Sequence, residues 1–492
     1  MKSRIPKEVK MIAERLNEGG FDAYLVGGCV RDIMMENSPA EGPSDWDVAT
    51  NAKPEEIQKL FSDSVYENEF GTVGVKTDSE DPKLKVIEVT TFRIEGKYSD
   101  KRHPDEVTFA STIEEDLSRR DFTVNAMALK ITDASRELIV DPYHGQEDLK
   151  KKIIRAVGKA EQRFEEDALR LLRAIRFSAQ LGFAIEEKTA QAITKQSGLL
   201  AYVSKERIRD EFTKLMLTDR AAEGVRMLLA HKLLIHIAPE IEEGISVTQN
   251  KHHIYTVFEH NLRSLEYAVA ERFPLHIRLA SLFHDVGKPR SKKGDGPDST
   301  FYGHQVVGER MTATIMDRLR FSKTLTETVA LLVREHMFVY DPEAVTLAGV
   351  RRLIARVGKD NVDALLKLRE ADRIGSGVPK AQPYRLRYLR AMIEKVQKDP
   401  VSPKMLKANG EDVMRVLKMS PGPRIGKILA VLLEEVLEDP KYNTKKVLEK
   451  RIQELGKMTD KELEDFARKA KESASAAQHR IDEEIKKKYF VK

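Results

Sequence analysis

Hydrophobic and polar positions follow a short, strand-like period in the first third of this chain and a helical period afterwards. Residues 9–16 are apolar at helical spacing, and AYLVGG (residues 23–28) is an apolar run that stops at two glycines. The helical run KPEEIQKLF and the strand-like runs FGTVGVKT, LKVIEVTTF, VTFAS and AMALKI follow. From about Asp148 onward, amphipathic helices with short breaks continue to the C terminus. The pattern predicts an α+β protein, with a small mixed-sheet head followed by helical parts.

Breaks in the helical pattern divide the chain further. Its 492 residues exceed one ordinary core, so several domains are expected. We place internal boundaries near residues 244–253, where the helical pattern breaks, and near residues 375–385, where glycine and proline cluster. The predicted parts are a head (1–147), a helical neck (148–244), a second helical domain (245–378) and a helical body and tail (379–492).

Charge and cysteine content narrow the class of protein. The net charge is +5, and residues 441–492, with 15 Lys and Arg against 10 Asp and Glu, supply all of it. A nucleic-acid-binding surface upstream must therefore come from local arginine clusters. Cys29 is the single cysteine, which rules out an intramolecular disulfide. With no signal-peptide core and no membrane-spanning run, the sequence predicts a cytoplasmic protein without membrane attachment.

Residues 25–50 combine a phosphate-type turn with a pair of carboxylates. Gly27 and Gly28 let the backbone approach a phosphate, and Arg31 adds a cation early in the predicted helix. Asp45 and Asp47 are separated by one residue, so an extended chain points both carboxylates to one face. Each feature alone is common on protein surfaces. Together, and followed by an apolar strand, they predict a metal-dependent nucleotidyl-transfer site.

With four later motifs, this opening resembles the class II tRNA nucleotidyltransferases and bacterial poly(A) polymerases of the polymerase-β superfamily. The motifs are RRDFTVNAMA (119–128), DPYHGQEDL (141–149), EEDALRLLRAIRFSAQLGF (165–183) and SKERIRDEF (204–212). They keep the family's order and rough spacing over nearly half of the chain. The resemblance implies a polymerase-β-type head with two Mg²⁺ ions on Asp45 and Asp47. It also implies CTP, ATP and the tRNA acceptor arm as substrates.

The resemblance assigns nucleotide-binding roles to two groups of residues. In the head they are Arg119, Arg120, Asp121 and Asn125, for the ribose and the triphosphate. In the neck they are Asp167, Arg170, Arg173 and Arg176. Asp167 and Arg170 are three residues apart, so we expect them to share a helix face. There a carboxylate and a guanidinium can pair with the amino-bearing edge of cytosine or adenine and reject uracil and guanine. The alternative is an ordinary intrahelical ion pair.

Two further head features bear on this activity. Residues 91–109 resemble the flexible loop that enzymes adding only CC largely lack, so a full-length loop favours addition of the terminal A. Glu88, on the preceding predicted strand, is either a third acidic residue near the metals or a solvent-facing side chain.

A second constellation lies in the middle of the chain. Imidazole and carboxylate groups together suit borderline or hard divalent metals. The candidate ligands are His260, His284, Asp285, His304, His336 and Asp372. Their motifs resemble the HD phosphohydrolase superfamily, which implies one or two ions (Mg, Mn, Fe or Ni) and hydrolysis of phosphate esters. The alternative is a vestigial domain kept as a scaffold or for tRNA contact.

In the C-terminal part, Pro421-Gly422-Pro423 precedes a predicted helix and should expose Arg424 and Lys427 to tRNA phosphates. The basic run at residues 486–488 is either an RNA contact or a solvated helix face.

We interpret the whole chain as an enzyme that builds or repairs the CCA end of tRNA and has an additional HD phosphohydrolase site. An A-adding enzyme or a poly(A) polymerase of the same superfamily is an alternative. An HD phosphohydrolase with an RNA-binding head is an alternative from another class. The sequence does not predict the oligomeric state.

Overall fold

A computed structural model describes residues 5–35, 43, 45–68, 71–95, 107–131, 138–249, 254–294 and 296–466. The chain forms two compact units, one of residues 1–242 with 318–321 and the other of residues 243–317 with 322–492. The central part of the predicted loop at 91–109 and the basic run at 486–488 lie outside the described residues. Every helix in the described part is too short or too polar to cross a lipid bilayer.

The first unit contains a seven-stranded mixed sheet with strand order β3-β4-β5-β2-β1-β8-β9. The β2–β5 pair is parallel and the other pairs are antiparallel. Two smaller sheets, antiparallel β6–β7 and parallel β10–β11, accompany it. The strands are β1 (Ala23–Val26), β2 (Asp47–Thr50), β3 (Ser64–Asn68), β4 (Thr72–Lys76), β5 (Val86–Thr91), β6 (Arg93–Glu95), β7 (Val107–Phe109), β8 (Ala128–Lys130), β9 (Leu138–Val140), β10 (Ile153–Ile154) and β11 (Ala184–Ile185).

Helices cover the sheet and build the neck and the described part of the second unit, which confirms the predicted α+β class. Those that begin in the first unit are α1 (Lys7–Glu18), α2 (Gly28–Met34), α3 (Pro54–Leu60), α4 (Ile113–Ser118), α5 (Gly145–Lys151), α6 (Ala160–Glu166), α7 (Arg170–Leu181), α8 (Glu187–Gln196), α9 (Lys205–Met216), α10 (Ala221–Ala230) and α11 (Pro239–Glu242). Those that begin in the second are α12 (Val257–Ala270), α13 (Leu275–Phe283), α14 (Lys288–Ser291), α15 (His304–Arg318), α16 (Lys323–Glu335), α17 (Leu347–Val357), α18 (Val362–Gly375), α19 (Tyr384–Val396), α20 (Gly410–Leu417), α21 (Pro423–Glu438) and α22 (Lys445–Leu455).

The central strand β1 is buried on both faces, which explains its unbroken apolar sequence. Ala23 and Leu25 pack into the core that α1 and α3 cover. Tyr24 and Val26 face the other way, into a cluster with residues of α4. Because side chains alternate along a strand, four successive apolar residues fill two cores and fix the register of the sheet.

The second unit is built from packed helices. In its first part, α12 lies against α13 and α18, and α13 also packs on α16. The apolar face of α13 is fully buried, which holds the end of that helix in place. A separate core joins α20, α21 and α22.

Candidate functional site

Strand β1 ends in a turn whose backbone conformation and surroundings favour glycine. Gly27 follows β1 with φ of 76°, in the left-handed region that favours glycine. A Cβ atom at this position would lie 2.9 Å from Nη1 of Arg120. The turn therefore brings backbone and an arginine side chain together at the start of α2, where the sequence predicted a phosphate-type turn.

Asp45 and Asp47 stand beside this turn on the same side of the chain. Asp47 is paired with Val26 of β1 on one side and with Glu88 of β5 on the other. Both carboxylates line the cleft described below, and Trp46 between them is buried. Burial raises the pKa of Asp47, Arg120 opposes that rise, and Asp45 adds to it. Concentrated negative charge of this kind fits a divalent cation.

Glu88 is brought next to Asp47. The two residues are partners in the parallel β2–β5 pair, so their side chains emerge on the same face of the sheet. The Glu88 side chain is exposed. Its role as a third carboxylate stays a prediction.

A cleft of about 1010 Å³ opens beside the two carboxylates. All eleven residues predicted to bind nucleotide line it: Gly27, Gly28, Arg31, Arg119, Arg120, Asp121, Asn125, Asp167, Arg170, Arg173 and Arg176. Side chains from the head and from the neck thus meet in one cavity within the first unit. Its arginines make it suitable for a polyphosphate.

Asp116 aims two of these arginines, and sequence reasoning missed it. Its carboxylate accepts hydrogen bonds from Arg119 at 2.7 and 3.0 Å and from Arg120 at 3.2 Å. Only 1% of Asp116 is exposed. Burial would raise its pKa, but the two guanidinium groups outweigh burial and lower it. The buried anion therefore fixes two cations at the wall of the cleft.

Asp121 is also a buried anchor rather than an open ligand. Its Oδ2 accepts from Arg173, with nitrogen–oxygen distances of 2.6 and 2.7 Å, and its Oδ1 accepts from the backbone of Phe122. Burial opposes ionisation of Asp121, but Arg173 and Arg170 lower its pKa. Asn125 accepts a 2.8 Å hydrogen bond from Arg31, which joins α2 to the segment that contains Asp121 and Asn125.

The prediction that Asp167 and Arg170 share one face of a helix is wrong. Asp167 has extended backbone between α6 and α7, because its Oδ1 accepts from the backbone N–H of Leu169 and competes with the helix. The expected alternative, an ion pair between these two residues, is not formed either. Arg170 binds Glu166 at 2.6 Å, and Arg207 of α9 donates to Asp167 at 2.8 Å.

Glu211 of α9 is a second residue that the sequence did not single out. Its buried carboxylate lies 2.6 Å from Arg176 and 3.8 Å from Arg173. Arg176 also lies over the ring of Phe177, 3.8 Å from the centroid. Burial lowers the pKa of Arg176 and Glu211 opposes that shift. The three arginines predicted on α7 are thus held by acidic partners from three other parts of the first unit: Glu166 of α6, Asp121 and Glu211 of α9.

The second unit collects all six predicted metal ligands, from five helices or helix ends. His260 and Asp372 come from α12 and α18. His284 and Asp285 follow α13, His304 begins α15, and His336 ends α16. All six are buried.

Asp285 lies between two groups of ring nitrogens. Its Oδ2 is 3.1 Å from Nε2 of His260 and 3.4 Å from Nε2 of His284, and its Oδ1 is 3.3 Å from Nε2 of His304. His336 Nε2 lies 3.6 Å from the same Oδ1. Two clusters with metal-binding geometry therefore share one carboxylate.

The hydrogen bonds of the outer ring nitrogens test whether a metal fits. In His284, His304 and His336, Nδ1 lies 2.7 to 2.9 Å from a backbone carbonyl, which can only accept. Nδ1 therefore carries a proton in each ring, so Nε2 presents a lone pair wherever the ring is neutral, as the lowered pKa of His336 favours. The Nε2 atoms of His304 and His336 face each other at 3.3 Å. Two facing lone pairs need a shared cation, so this donor set fits a divalent metal ion.

Charged neighbours complete this cluster. Lys288, itself buried, lies 2.6 Å from Oδ2 of Asp285, and Arg369 pairs with Asp372. Burial opposes the charge on His284, but Asp285 and Asp372 raise its pKa to about 9. Burial lowers the pKa of His336 to about 4. His284 thus favours the charged imidazolium form, and His336 favours the neutral imidazole form.

The expected exposure of Arg424 and Lys427 is wrong. Arg424 forms an ion pair with Asp460, and Lys427 lies 2.7 Å from Glu464. These acidic residues neutralise the start of α21, so the structure offers no open pair of cations there.

Three family models match the chain. The poly(A) polymerase head domain matches residues 23–155, the probable RNA- and SrmB-binding site of polymerase A matches 182–245, and the HD domain matches 253–375. These matches confirm the resemblances inferred from the motifs.

Curated relatives and solved structures agree with the family models. A CCA-adding enzyme of Lactobacillus delbrueckii subsp. bulgaricus is 46% identical over 220 residues, which is 44% of this chain and 52% of that protein. The chain thus spans about half the length of the first curated relatives it matches. An A-adding tRNA nucleotidyltransferase of Deinococcus radiodurans is 36% identical over 67% of this chain and 76% of its own length.

The crystal structure of the Bacillus stearothermophilus CCA-adding enzyme in complex with CTP is similar over 91% of this chain and 96% of its own, with TM-score 0.65 and 27% identity.

Proposed function

Because this chain belongs to the tRNA nucleotidyltransferase family, we propose that it adds or repairs the 3′-terminal CCA of tRNA. CTP and ATP are the substrates and pyrophosphate is released. The observation that carries this proposal is the single cleft that joins Asp45 and Asp47 to the arginines of the head and neck. The CTP complex of the Bacillus stearothermophilus relative supports the choice of nucleotide.

In the proposed reaction, the 3′-hydroxyl oxygen of tRNA attacks the α-phosphorus of the nucleotide. The bond from that phosphorus to the bridging oxygen of the β-phosphate breaks, and pyrophosphate leaves. Arg119 and Arg120, aimed by Asp116, bind the triphosphate and balance the charge of the leaving group. Gly27 lets the chain approach the phosphates without a clashing side chain.

Asp45 and Asp47 would hold the divalent metal, for which we propose Mg²⁺. When bound, the metal lowers the pKa of the attacking hydroxyl and neutralises charge on the phosphates. Asp47 is suited to this role because burial and its acidic neighbour Asp45 raise its pKa, so a cation there relieves unfavourable charge.

We propose that residues of the neck select the base of the incoming nucleotide. Asp167 accepts a hydrogen bond from the exocyclic amine that cytosine and adenine share, and Arg170 donates to the neighbouring ring acceptor. Arg170 must leave Glu166 to do so, because its guanidinium donates to that carboxylate. The tRNA acceptor arm is recognised by shape and backbone.

Addition of A alone is the second candidate. The Deinococcus radiodurans relative, of which this chain covers 76%, is an A-adding enzyme. The two activities use the same carboxylates and differ in which tRNA end the cleft accepts.

We further propose that the second unit is a metal-dependent phosphohydrolase acting on phosphate esters at RNA ends. The facing lone pairs of His304 and His336 support it, since a cation there satisfies both. Asp285 and the histidines around it would hold one or two ions chosen from Mg, Mn, Fe or Ni. Lys288 beside Asp285 is positioned to bind a substrate phosphate.

The four-part division of the chain and a cytoplasmic location remain predictions.

The test is extension of three tRNA transcripts, lacking CCA, ending in C, and ending in CC, with Mg²⁺, CTP and ATP, on a sequencing gel. Convergence of all three on one CCA end supports the proposal. Growth of only the CC-ending transcript by one A identifies an A-adding enzyme, and long ladders identify a poly(A) polymerase. Absence of any extension refutes the polymerase. Asp45→Ala should stop extension while phosphatase activity persists.

A further inference from the structure

Arg207 is a cleft residue to which neither the motifs nor the comparisons give a role. It lies on α9, and its Nη2 donates to Oδ2 of Asp167 at 2.8 Å. Its side chain is 22% exposed, and it lines the same cavity as the catalytic carboxylates. Among the described residues, the side chain with which Arg207 forms a hydrogen bond and an ion pair is that of Asp167.

Arg170, the predicted guanidinium partner of Asp167, is engaged elsewhere. Its Nη1 donates to Glu166 at 2.6 Å and to the carbonyl of Arg163, and its Nη2 donates to the carbonyl of Arg119. The orientation of Asp167 therefore depends on Arg207 and on the backbone N–H of Leu169, which donates at 3.0 Å.

The geometry of α9 supports a positioning role for its inner face. Arg207 and Glu211 are four residues apart and so lie on one side of the helix. Glu211 binds Arg176 at 2.6 Å, on the helix after Asp167. Arg209 points elsewhere, with contacts to Asp210 and to a backbone carbonyl. One face of α9 thus braces both the carboxylate and the cations of the nucleotide site.

We propose that Arg207 is a positioning residue that sets nucleotide selectivity by holding the Asp167 carboxylate toward the base. This inference rests on the proposed nucleotidyl transfer. With Oδ1 fixed by Leu169 and Oδ2 by Arg207, the remaining lone pairs of the carboxylate accept an exocyclic amine of C or A and repel a carbonyl of U or G. Without Arg207 the carboxylate keeps one anchor and rotates, so amine and carbonyl are distinguished less well.

The experiment measures kcat and KM for single-nucleotide addition by the full-length protein. CTP is compared with UTP on tRNA lacking CCA, and ATP with GTP on tRNA ending in CC. Arg207→Gln should lower both selectivity ratios about tenfold, the lower end expected for loss of one charge-assisted hydrogen bond. Arg207→Lys should recover part of the loss. Arg209→Gln, on the same helix but outside the cleft, is the matched control and should match the wild type.

Two results would overturn the inference. The first is an equal loss of kcat/KM for all four nucleotides in Arg207→Gln, which indicates a merely structural role. The second is a further fall in selectivity when Arg207→Gln is added to Asp167→Ala, because alanine leaves no side-chain acceptor for Arg207 to position. If Arg207→Gln fails to fold in a thermal unfolding scan, Arg207→Lys carries both comparisons. A wild-type protein that extends no tRNA refutes the proposed function itself.

Discussion

Gly375, the last residue of α18, is the point where two helices of the second unit touch. A Cβ atom there would lie 2.1 Å from Oγ of Ser264 and 2.8 Å from the carbonyl oxygen of His260, both on α12. The carbonyl belongs to backbone and cannot swing away. To reach the 3.4 Å of an ordinary contact, α12 must move by about 0.6 Å from α18. Gly375→Ala should therefore separate two helices that carry predicted metal ligands.

This movement of α12 would change distances between predicted metal ligands, and metal sites tolerate only small changes in such distances. Nε2 of His260 lies 3.3 Å from Oδ1 of Asp372, one ligand on each helix. Metal–ligand distances hold within about 0.2 Å, and disturbing the support of ligands costs roughly 10- to 100-fold in metal affinity. Overpacking should also cost about 1–3 kcal/mol of folding free energy.

The assay is metal content by mass spectrometry after dialysis against graded Mn²⁺, together with hydrolysis of p-nitrophenyl phosphate. Gly426→Ala is the matched control: Gly426 is also helical and lies in the same unit, and its added Cβ would meet no atom within 4 Å. We expect Gly375→Ala to lose metal and phosphatase activity while Gly426→Ala keeps both. Unchanged metal affinity in a folded Gly375→Ala protein would refute the packing argument.

Three further predictions concern the head. Asp47→Asn should lower nucleotide addition by about a thousandfold or more, as measured by single-turnover extension, and should leave the metal content of the second unit unchanged. Gly27→Ala should weaken nucleotide binding in a CTP titration, because its Cβ meets Arg120 at 2.9 Å and its φ of 76° disfavours alanine. Asp116 has a lowered pKa despite burial, so its stabilising effect is present above its unfolded pKa near 4 and is lost as pH falls through its lower folded value. Urea unfolding followed by the fluorescence of Trp46 should show this acid loss in the wild type and a smaller one in Asp116→Asn.

Local patterns predicted much of the head. The strand β1 and the turn at Gly27 were predictable because an apolar run and a glycine pair are contiguous in sequence. Asp45 and Asp47 were predictable as a pair because one intervening residue, Trp46, fixes their common direction. For such features the neighbours in sequence are also the neighbours that set the geometry.

The partners of the site residues could not be predicted in the same way. Glu211 and Arg207 act through residues that only the fold brings to them, and charged residues on helices are usually solvated. Asp116 differs, because its partners Arg119 and Arg120 lie three and four residues ahead, but that spacing alone predicts only an ordinary surface ion pair. The break at Asp167 was missed because its segment reads as one amphipathic helix. An aspartate that bonds to the backbone two residues ahead ends a helix without glycine or proline, and that signal is weak in sequence.

The central place of β1 in the sheet also bears on how the head folds. Tyr24 pairs with Ala49 on one side and with Lys130 on the other, more than a hundred residues further along the chain. Such distant contacts are entropically costly to close and form slowly. During synthesis, the strand that precedes the phosphate turn stays unpaired on one edge until β8 has left the ribosome. We therefore expect the sheet of the head to be completed only after about 130 residues have been synthesised, and the arginines of α7 to join the cleft later still.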